Sequence, residues 1–325
     1  MRSRSRVFAS VMMLAFTGSW VLAQAVPPTT VRGAEFAAAV NVMKRNLKLE
    51  GRLFVPQSVE RARGAIVFMT VSVFPDGYFG VAQEAATAWP SLAARLGAAV
   101  LHVRVSNIVR PAGVVAPSEE VARNAAIGGS DALLSLLERL ADESGHRELR
   151  EAPLAFWGFS AVANFGTVFA TLYPERTVAV VRYHSHLREM SIDETRLSRV
   201  PVLLLAGGAD RRAGMEDAES LWSRGKASGA PWTLAVDSAA THWDEASLQR
   251  ANEVFIPWMA SVFRQRVPSS GTKLRVVDGT DGWLGDRRTA TAAPYGVFAG
   301  TKGEAVWLPD GATARAWQLQ NEPGK

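Results

Sequence analysis

Short, continuous apolar runs alternate with helix-like segments through the middle of this 325-residue chain, and this alternation restricts the fold more than any other feature. Ala65–Met69, Leu154–Trp157 and Val202–Ala206 contain only apolar residues, as expected for strands that are buried on both faces of a sheet. Because helix-like segments separate these runs, neighbouring strands are expected to pair in parallel, with helices on both faces. The sequence therefore predicts an α/β fold with a doubly wound, mostly parallel sheet.

The individual elements can be placed between Leu49 and Phe263. The predicted strands are Leu53–Val55, Ala65–Met69, Ala98–Val105, Leu154–Trp157, Val178–Tyr183, Val202–Ala206 and Trp232–Val236. The predicted helices are Pro90–Leu96, Val121–Leu140, Ala161–Tyr173, Gly214–Ser228 and Leu248–Phe263. Residues 184–200 have room for one short helix only, which predicts that no large cap domain is inserted there.

After Arg266 the alternation of apolar runs and helix-like segments ends. Pro268–Gly271 resembles a linker, and Lys273–Val277 and Ala305–Leu308 are predicted strands of a small β-rich extension. Asp310 is a predicted N-cap for a last short helix. We therefore expect a main domain over residues 26–266 and an extension over 267–325, which either covers a sheet edge or forms a lid over the functional site.

The first 25 residues have the pattern of a secretory signal peptide. Arg2, Arg4 and Arg6 precede the uncharged run Val7–Ala23, and Ala23-Gln24-Ala25 supplies an A-x-A cleavage site. The run is shorter than the roughly 20 residues that a membrane span needs. Cleavage after Ala23 or Ala25 is therefore expected to leave a periplasmic or secreted protein with no stable membrane span.

Composition excludes several classes of function. The chain has no cysteine, which excludes a disulfide framework, a thiolate metal site and a cysteine nucleophile. Its formal charge of +5 includes three arginines of the signal segment, so the mature chain carries +2. A charge this small on roughly 300 residues is not a basic patch, and no nucleic-acid partner is expected.

A serine lies where one predicted strand passes directly into a helix. Gly158-Phe159-Ser160-Ala161-Val162 follows Leu154–Trp157, and this arrangement is typical of a nucleophile elbow, in which a tight turn lifts the serine hydroxyl above the sheet edge. The N–H of Ala161 then lies at the start of a helix, where an oxyanion would develop. The alternative is an ordinary turn in which Ser160 is only an N-cap.

An aspartate and a histidine follow later strands in the order that this chemistry requires. Asp210 ends the Gly-rich loop after Val202–Ala206, and His242 follows the strand Trp232–Val236. A histidine can remove the serine proton and return it to the leaving group, while a buried carboxylate holds the imidazole in the required tautomer. Ser160, Asp210 and His242 are therefore the candidate catalytic residues.

These three motifs resemble those of the α/β-hydrolase family. The resemblance rests on Gly158-Phe159-Ser160, Gly207-Gly208-Ala209-Asp210 and Thr241-His242-Trp243, and it covers roughly Leu49–Phe263. It implies an eight-stranded, mostly parallel sheet and a serine hydrolase mechanism. Within the family the chain is most similar to bacterial secreted esterases.

Two positions depart from the pattern of that family. Val162 stands where the family usually has glycine, so we expect the elbow to relax or its packing to open. Thr70-Val71-Ser72 replaces the usual His-Gly pair, and Ser72 is the predicted second oxyanion donor through its backbone N–H. The aromatic residues Phe74, Tyr78 and Trp243 lie near these motifs and are candidate substrate contacts.

The function predicted from the sequence is that of an exported serine hydrolase that cleaves carboxylic esters through an acyl-enzyme. Its substrate would be a small-molecule or polymeric ester, and the mechanism requires no metal or organic cofactor. A peptidase or amidase with the same triad and a non-catalytic binding protein on a hydrolase fold remain alternatives. His184 and His186 flank Ser185 after a strand, and a structural or substrate-pocket role is favoured for them over a metal site.

Overall fold

The computed structural model describes residues 31–71, 79–108, 118–187, 192–271 and 273–321. The predicted signal segment, residues 1–25, lies outside these ranges. Among the described residues, no helix has the length and apolar character that a bilayer span needs.

The central sheet has eight strands in the order β1-β2-β4-β3-β5-β6-β7-β8. Its strands are β1 (Gly33–Val42), β2 (Leu47–Pro56), β3 (Ala65–Val71), β4 (Ala99–Asn107), β5 (Leu154–Phe159), β6 (Thr177–Tyr183), β7 (Val202–Gly207) and β8 (Trp232–Asp237). Strand β2 pairs antiparallel with β1 and β4, and all other neighbours pair in parallel. The predicted doubly wound, mostly parallel sheet is thus confirmed.

Eight α-helices are described around the two sheets. They are α1 (Phe79–Leu96), α2 (Ser118–Gly128), α3 (Ser130–Ser144), α4 (Ala163–Leu172), α5 (Glu194–Leu197), α6 (Met215–Ala227), α7 (Glu245–Arg266) and α8 (Gly311–Gln320). All residues of β5, β6 and β7 are buried, which explains why β5 and β7 are continuous apolar runs rather than alternating sequences. Between β6 and β7 the only described helix is the single turn α5, in agreement with the absence of a large cap domain.

Two predicted boundaries in the N-terminal half are wrong. The sheet begins at Gly33 rather than near Leu49. Strand β1 was not predicted because its sequence is alanine-rich, has weak periodicity and contains no buried residue. Helix α1 begins at Phe79, and Pro90 lies inside it rather than at its start. The fixed φ of proline suits a helix, but this does not mark the first residue.

The segment predicted as one long helix, Val121–Leu140, is two helices separated at Gly129. A Cβ on Gly129 would lie 2.6 Å from Ala125 O and 2.7 Å from the Phe165 ring, so only glycine allows this close approach. The leucine stripe of α3 is buried.

The C-terminal extension forms its own three-stranded antiparallel sheet and a helix. Its strands are β9 (Trp283–Asp286), β10 (Thr291–Pro294) and β11 (Val306–Leu308), with β9 in the centre. The predicted strand Lys273–Val277 is wrong, since these residues are irregular. Asp310 is the N-cap of α8, and its carboxylate accepts a hydrogen bond of 2.8 Å from Thr313 N–H.

This extension covers the outer edge of the main sheet, where β8 is the last strand. The Trp317 indole N–H donates to Leu234 O at 2.8 Å, and Asn321 Oδ1 accepts from Val236 N–H at 3.1 Å. Thr233 Oγ1 donates to Trp307 O. An uncovered edge strand would present unpaired backbone groups to other chains, so the extension protects the sheet from edge pairing.

Truncation of Trp317 tests this structural role. The indole is fully buried. Trp317→Ala is expected to lower the free energy of unfolding by about 3–5 kcal/mol, because it removes a large buried ring. Trp317→Phe should cost less, since it keeps most of the apolar volume and loses chiefly the hydrogen bond. Urea denaturation measures both values, and a Trp317→Ala protein as stable as wild type would contradict the assignment.

Candidate active site

Ser160, His242 and Asp210 meet at the carboxyl end of the parallel strands. Ser160 follows β5, Asp210 lies in the loop after β7, and His242 lies in the loop between β8 and α7. The His242 ring links the other two: Nε2 is 3.1 Å from Ser160 Oγ, and Nδ1 is 2.9 Å from Asp210 Oδ2. Ser160 and Asp210 are 50 positions apart in the sequence, and Asp210 and His242 are 32 apart. They meet because parallel strands end at the same edge of a sheet.

The backbone at Ser160 has the strained conformation of a nucleophile elbow. Its φ is +53°, a region that residues with a Cβ rarely adopt outside special sites. Ser160–Val162 form a 3₁₀ turn that continues into α4. This geometry raises the hydroxyl above the end of β5 and places the Ala161 N–H in the first turn of the helical segment.

Glycine is required two residues before the serine because the chain turns back on itself. A Cβ on Gly158 would lie 2.4 Å from Ala163 Cα and 2.8 Å from Ala163 N. One turn later, a Cβ on Gly166 would lie 2.6 Å from Phe156 Cβ, so α4 also approaches β5 closely there. Val162 is half-buried against the apolar core. Ala163 and Gly166, rather than Val162, therefore make the close contacts between this segment and β5.

The Asp210 carboxylate is buried, with its side chain 1% exposed. Its Oδ1 accepts hydrogen bonds from the backbone N–H groups of Arg212 (2.8 Å) and Ala213 (3.0 Å), and Oδ2 faces His242. Burial raises the pKa of this carboxyl, but the hydrogen bonds from Ala213, His242 and Arg212 outweigh burial and hold the pKa below its ordinary value. The carboxylate therefore stays ionised at neutral pH.

The loop that carries His242 is held by residues on either side of it. Asp244 is the N-cap of α7: its Oδ1 accepts from Ser247 N–H at 2.6 Å, and its Oδ2 accepts from Thr241 N–H at 3.2 Å. Asp244 was not among the residues predicted from the sequence, although an acid just before an amphipathic helix is a usual N-cap signal. At the other side, His184 Nδ1 lies 3.2 Å from the backbone oxygen of His242.

Two aromatic side chains line the site next to the His242 ring. The Phe159 ring packs against the His242 ring with a centroid distance of 5.0 Å. It also packs edge-to-face with the Trp243 indole, at a centroid distance of 4.8 Å. Trp243 is 37% exposed, so one part of its indole is open to solvent. The sequence places Phe159 only within the serine motif, and its contact with the histidine depends on tertiary structure.

Other predicted site residues cannot be placed. The candidate oxyanion residue Ser72 and the candidate substrate contacts Phe74 and Tyr78 lie outside the described residues. Among the described residues, no group of three or more histidine, aspartate or glutamate side chains is arranged to hold a metal ion.

Substitution of Gly158 tests the elbow. Gly158→Ala places a methyl group against the backbone of Ala163, and relief of this clash must move β5 or α4. We expect a loss of about 1–3 kcal/mol in the free energy of unfolding, the usual cost of overpacking, together with displacement of Ser160 Oγ. Gly279→Ala is the matched control, because nothing lies within 4 Å of its Cβ. Equal stability of the two variants in urea denaturation would contradict the proposed close contact.

Comparisons with known proteins point to one fold. No family model and no curated protein matches the chain. Among solved structures, the Pyrococcus furiosus esterase Pf2001 is similar with a TM-score of 0.51 and 13% identity, over 78% of this chain and 98% of that one. A ferulic acid esterase (TM-score 0.49, 11% identity, 72% of this chain and 99% of that one) and the Pyrococcus horikoshii acylaminoacyl peptidase (0.49, 12%, 74% and 43%) score lower. Together with the strand order, the likeness to Pf2001 identifies the architecture as the α/β-hydrolase fold.

Proposed function

We propose that this protein is an exported serine hydrolase that cleaves carboxylic esters, with Ser160 as nucleophile, His242 as general base and acid, and Asp210 as the residue that orients His242. The observation that carries the proposal is the continuous row of hydrogen bonds from Ser160 Oγ through both ring nitrogens of His242 to Asp210 Oδ2. The strained φ of Ser160 supports it, because such strain collects at functional sites.

The ionised state of Asp210 determines which nitrogen of His242 acts as base. A carboxylate only accepts hydrogen bonds, so Nδ1 carries the proton and Nε2 presents its lone pair to the Ser160 hydroxyl. Nε2 takes the hydroxyl proton as Ser160 Oγ bonds to the ester carbonyl carbon, and Asp210 stabilises the imidazolium that results. A serine hydroxyl needs this assistance because it is a weak nucleophile at neutral pH.

The remaining steps follow from the same arrangement. The tetrahedral intermediate collapses as the bond to the alcohol oxygen breaks, and His242 returns the proton to that oxygen. Water, deprotonated by His242, then attacks the acyl-enzyme and releases the acid and free Ser160. In both steps the negative oxygen is stabilised by backbone N–H donors, and we assign this role to Ala161 and Ser72.

The substrate class is inferred from the surroundings of the nucleophile. We propose that the exposed part of the Trp243 indole, which packs on the buried Phe159 ring, supplies an apolar wall for the acyl or alcohol group of an ester. Phe74 and Tyr78 are proposed to extend this wall.

Covalent labelling tests the assignment of the nucleophile. A fluorophosphonate probe should form an adduct on the peptide that contains Ser160, as detected by mass spectrometry, because the phosphonate mimics the tetrahedral intermediate. Ser160→Ala should abolish labelling, and His242→Ala should lower kcat by about 10³-fold or more. Ser185→Ala is the control, since Ser185 also follows a parallel strand but is not part of the row. An adduct on another serine, or unchanged labelling of Ser160→Ala, would refute the proposal.

Matched substrates separate an esterase from an amidase. A p-nitrophenyl ester and the p-nitroanilide of the same acyl group differ only in the leaving atom. We expect kcat/KM for the ester to exceed that for the anilide at every acyl length tested. A protein that hydrolyses the anilides as fast as the esters would be an amidase or peptidase with the same triad, and labelling without turnover of either would point to a binding role.

Export rests on the N-terminal pattern alone. We expect cleavage after Ala23 or Ala25, which N-terminal sequencing of protein recovered from the periplasm or the medium would identify. Full-length protein retained in the cytoplasm would contradict export without affecting the proposed chemistry.

A further inference from the structure

His184 is a buried histidine that contacts two residues of the proposed triad but is not a member of it. It follows the last residue of β6 and is 2% exposed. Its Nδ1 lies 3.2 Å from the backbone oxygen of His242 and 3.8 Å from Asp210 Oδ2. The ring stacks on Tyr183 with a centroid distance of 4.1 Å, so its orientation is restricted by packing as well as by polar contacts.

The contacts of the His184 ring determine its tautomer and its charge. A carbonyl oxygen accepts hydrogen bonds and cannot donate them, so Nδ1 of His184 must carry the proton. The same N–H faces the negative charge of Asp210, which stabilises this tautomer. Burial lowers the pKa of His184, although the hydrogen bond to His242 and the charges of Asp210 and Asp237 oppose this shift, while His242 adds to it. His184 is thus a neutral donor at neutral pH.

The backbone conformation of His184 places its ring next to the loop that carries His242. Its φ is +45°, which is uncommon for a residue with a side chain. The N–H of His184 donates to Leu205 O at 2.9 Å, which ties the residue to β7. A Cβ on Gly207 would lie 3.1 Å from His184 Cε1 and 2.6 Å from Ala240 O, so the ring lies close to the loop that leads to His242. A strained backbone that delivers one hydrogen bond to a functional loop indicates a role in the site.

We propose that His184 is a positioning residue for the reaction: its Nδ1–H holds the main chain of His242 while Asp210 holds the ring. The proposal rests on the proposed function, because the benefit appears only if Nε2 of His242 must meet Ser160 Oγ. With the carboxylate alone, the imidazole could pivot about one hydrogen bond. The second anchor on the backbone oxygen removes this freedom and maintains the 3.1 Å contact between Nε2 and Oγ. A displacement of about 1 Å at a reacting group lowers rates by about 100-fold.

Asparagine and glycine at position 184 separate the hydrogen bond from the backbone conformation. Both residues adopt positive φ readily, so neither adds strain. His184→Asn retains an N–H donor near the position of Nδ1, whereas His184→Gly has no donor. We expect kcat of the glycine variant to fall about 10- to 100-fold with KM within about 3-fold of wild type, and kcat of the asparagine variant to stay within about 3-fold.

Counting functional sites keeps the test independent of folding yield. Fluorophosphonate titration gives the concentration of reactive Ser160, and kcat is expressed per titrated site. If the glycine variant does not fold, His184→Gln replaces it, because the longer side chain carries its donor beyond the position of Nδ1 and should show the same loss of kcat.

The outcomes distinguish this inference from the proposed function. Wild type that neither labels nor hydrolyses esters would refute the proposed function itself. Active, labelled wild type with a glycine (or glutamine) variant of unchanged kcat per site would refute only the role of His184. An asparagine variant as impaired as the glycine variant would also overturn it, because the donor would then not be the feature that matters.

Discussion

The hydrogen bonds to the buried Asp210 carboxylate connect the parts of this site. A carboxylate removed from water needs donors to remain ionised, and three are supplied by Arg212 N–H, Ala213 N–H and the His242 ring. Two of these donors belong to the loop of Asp210 itself, and the third crosses to the loop after β8. The same loops are joined by Gly208 N–H to Asp237 O at 2.8 Å and by Ala209 N–H to Ala240 O at 3.1 Å. The position of His242 is therefore a consequence of satisfying a buried charge.

Rigidity at the candidate nucleophile comes from close packing. The backbone of Ala163 lies where a side chain at position 158 would be, and Gly166 brings α4 against Phe156. These contacts hold Ser160 at a positive φ that a free chain would leave. Val162 is accommodated two positions after the serine because the close contacts with β5 are made by Ala163 and Gly166, which follow it along the chain.

The central sheet and the C-terminal extension together hold the strands from which the loops of the site depart. The extension donates and accepts hydrogen bonds along β8, the strand that leads to His242. It thereby covers an edge and supports the strand from which the histidine loop departs. This favours the edge-covering role over the lid that the sequence left open.

The amino-acid sequence alone determined the class of fold and the order of the three candidate residues. Continuous apolar runs report burial on both faces, and a serine, an aspartate and a histidine after such runs must come to one edge of a parallel sheet. Prediction from the sequence failed where contacts between distant residues set the structure. The break at Gly129 and the strand β1 were not predicted, and the irregular segment 273–277 was predicted as a strand, because none of them has a distinctive periodicity. Only the tertiary structure decided that His184 and Phe159 contact His242, because these contacts join residues at least 58 positions apart. The sequence thus specifies which strands carry the chemistry, and packing between loops distant in sequence sets the geometry.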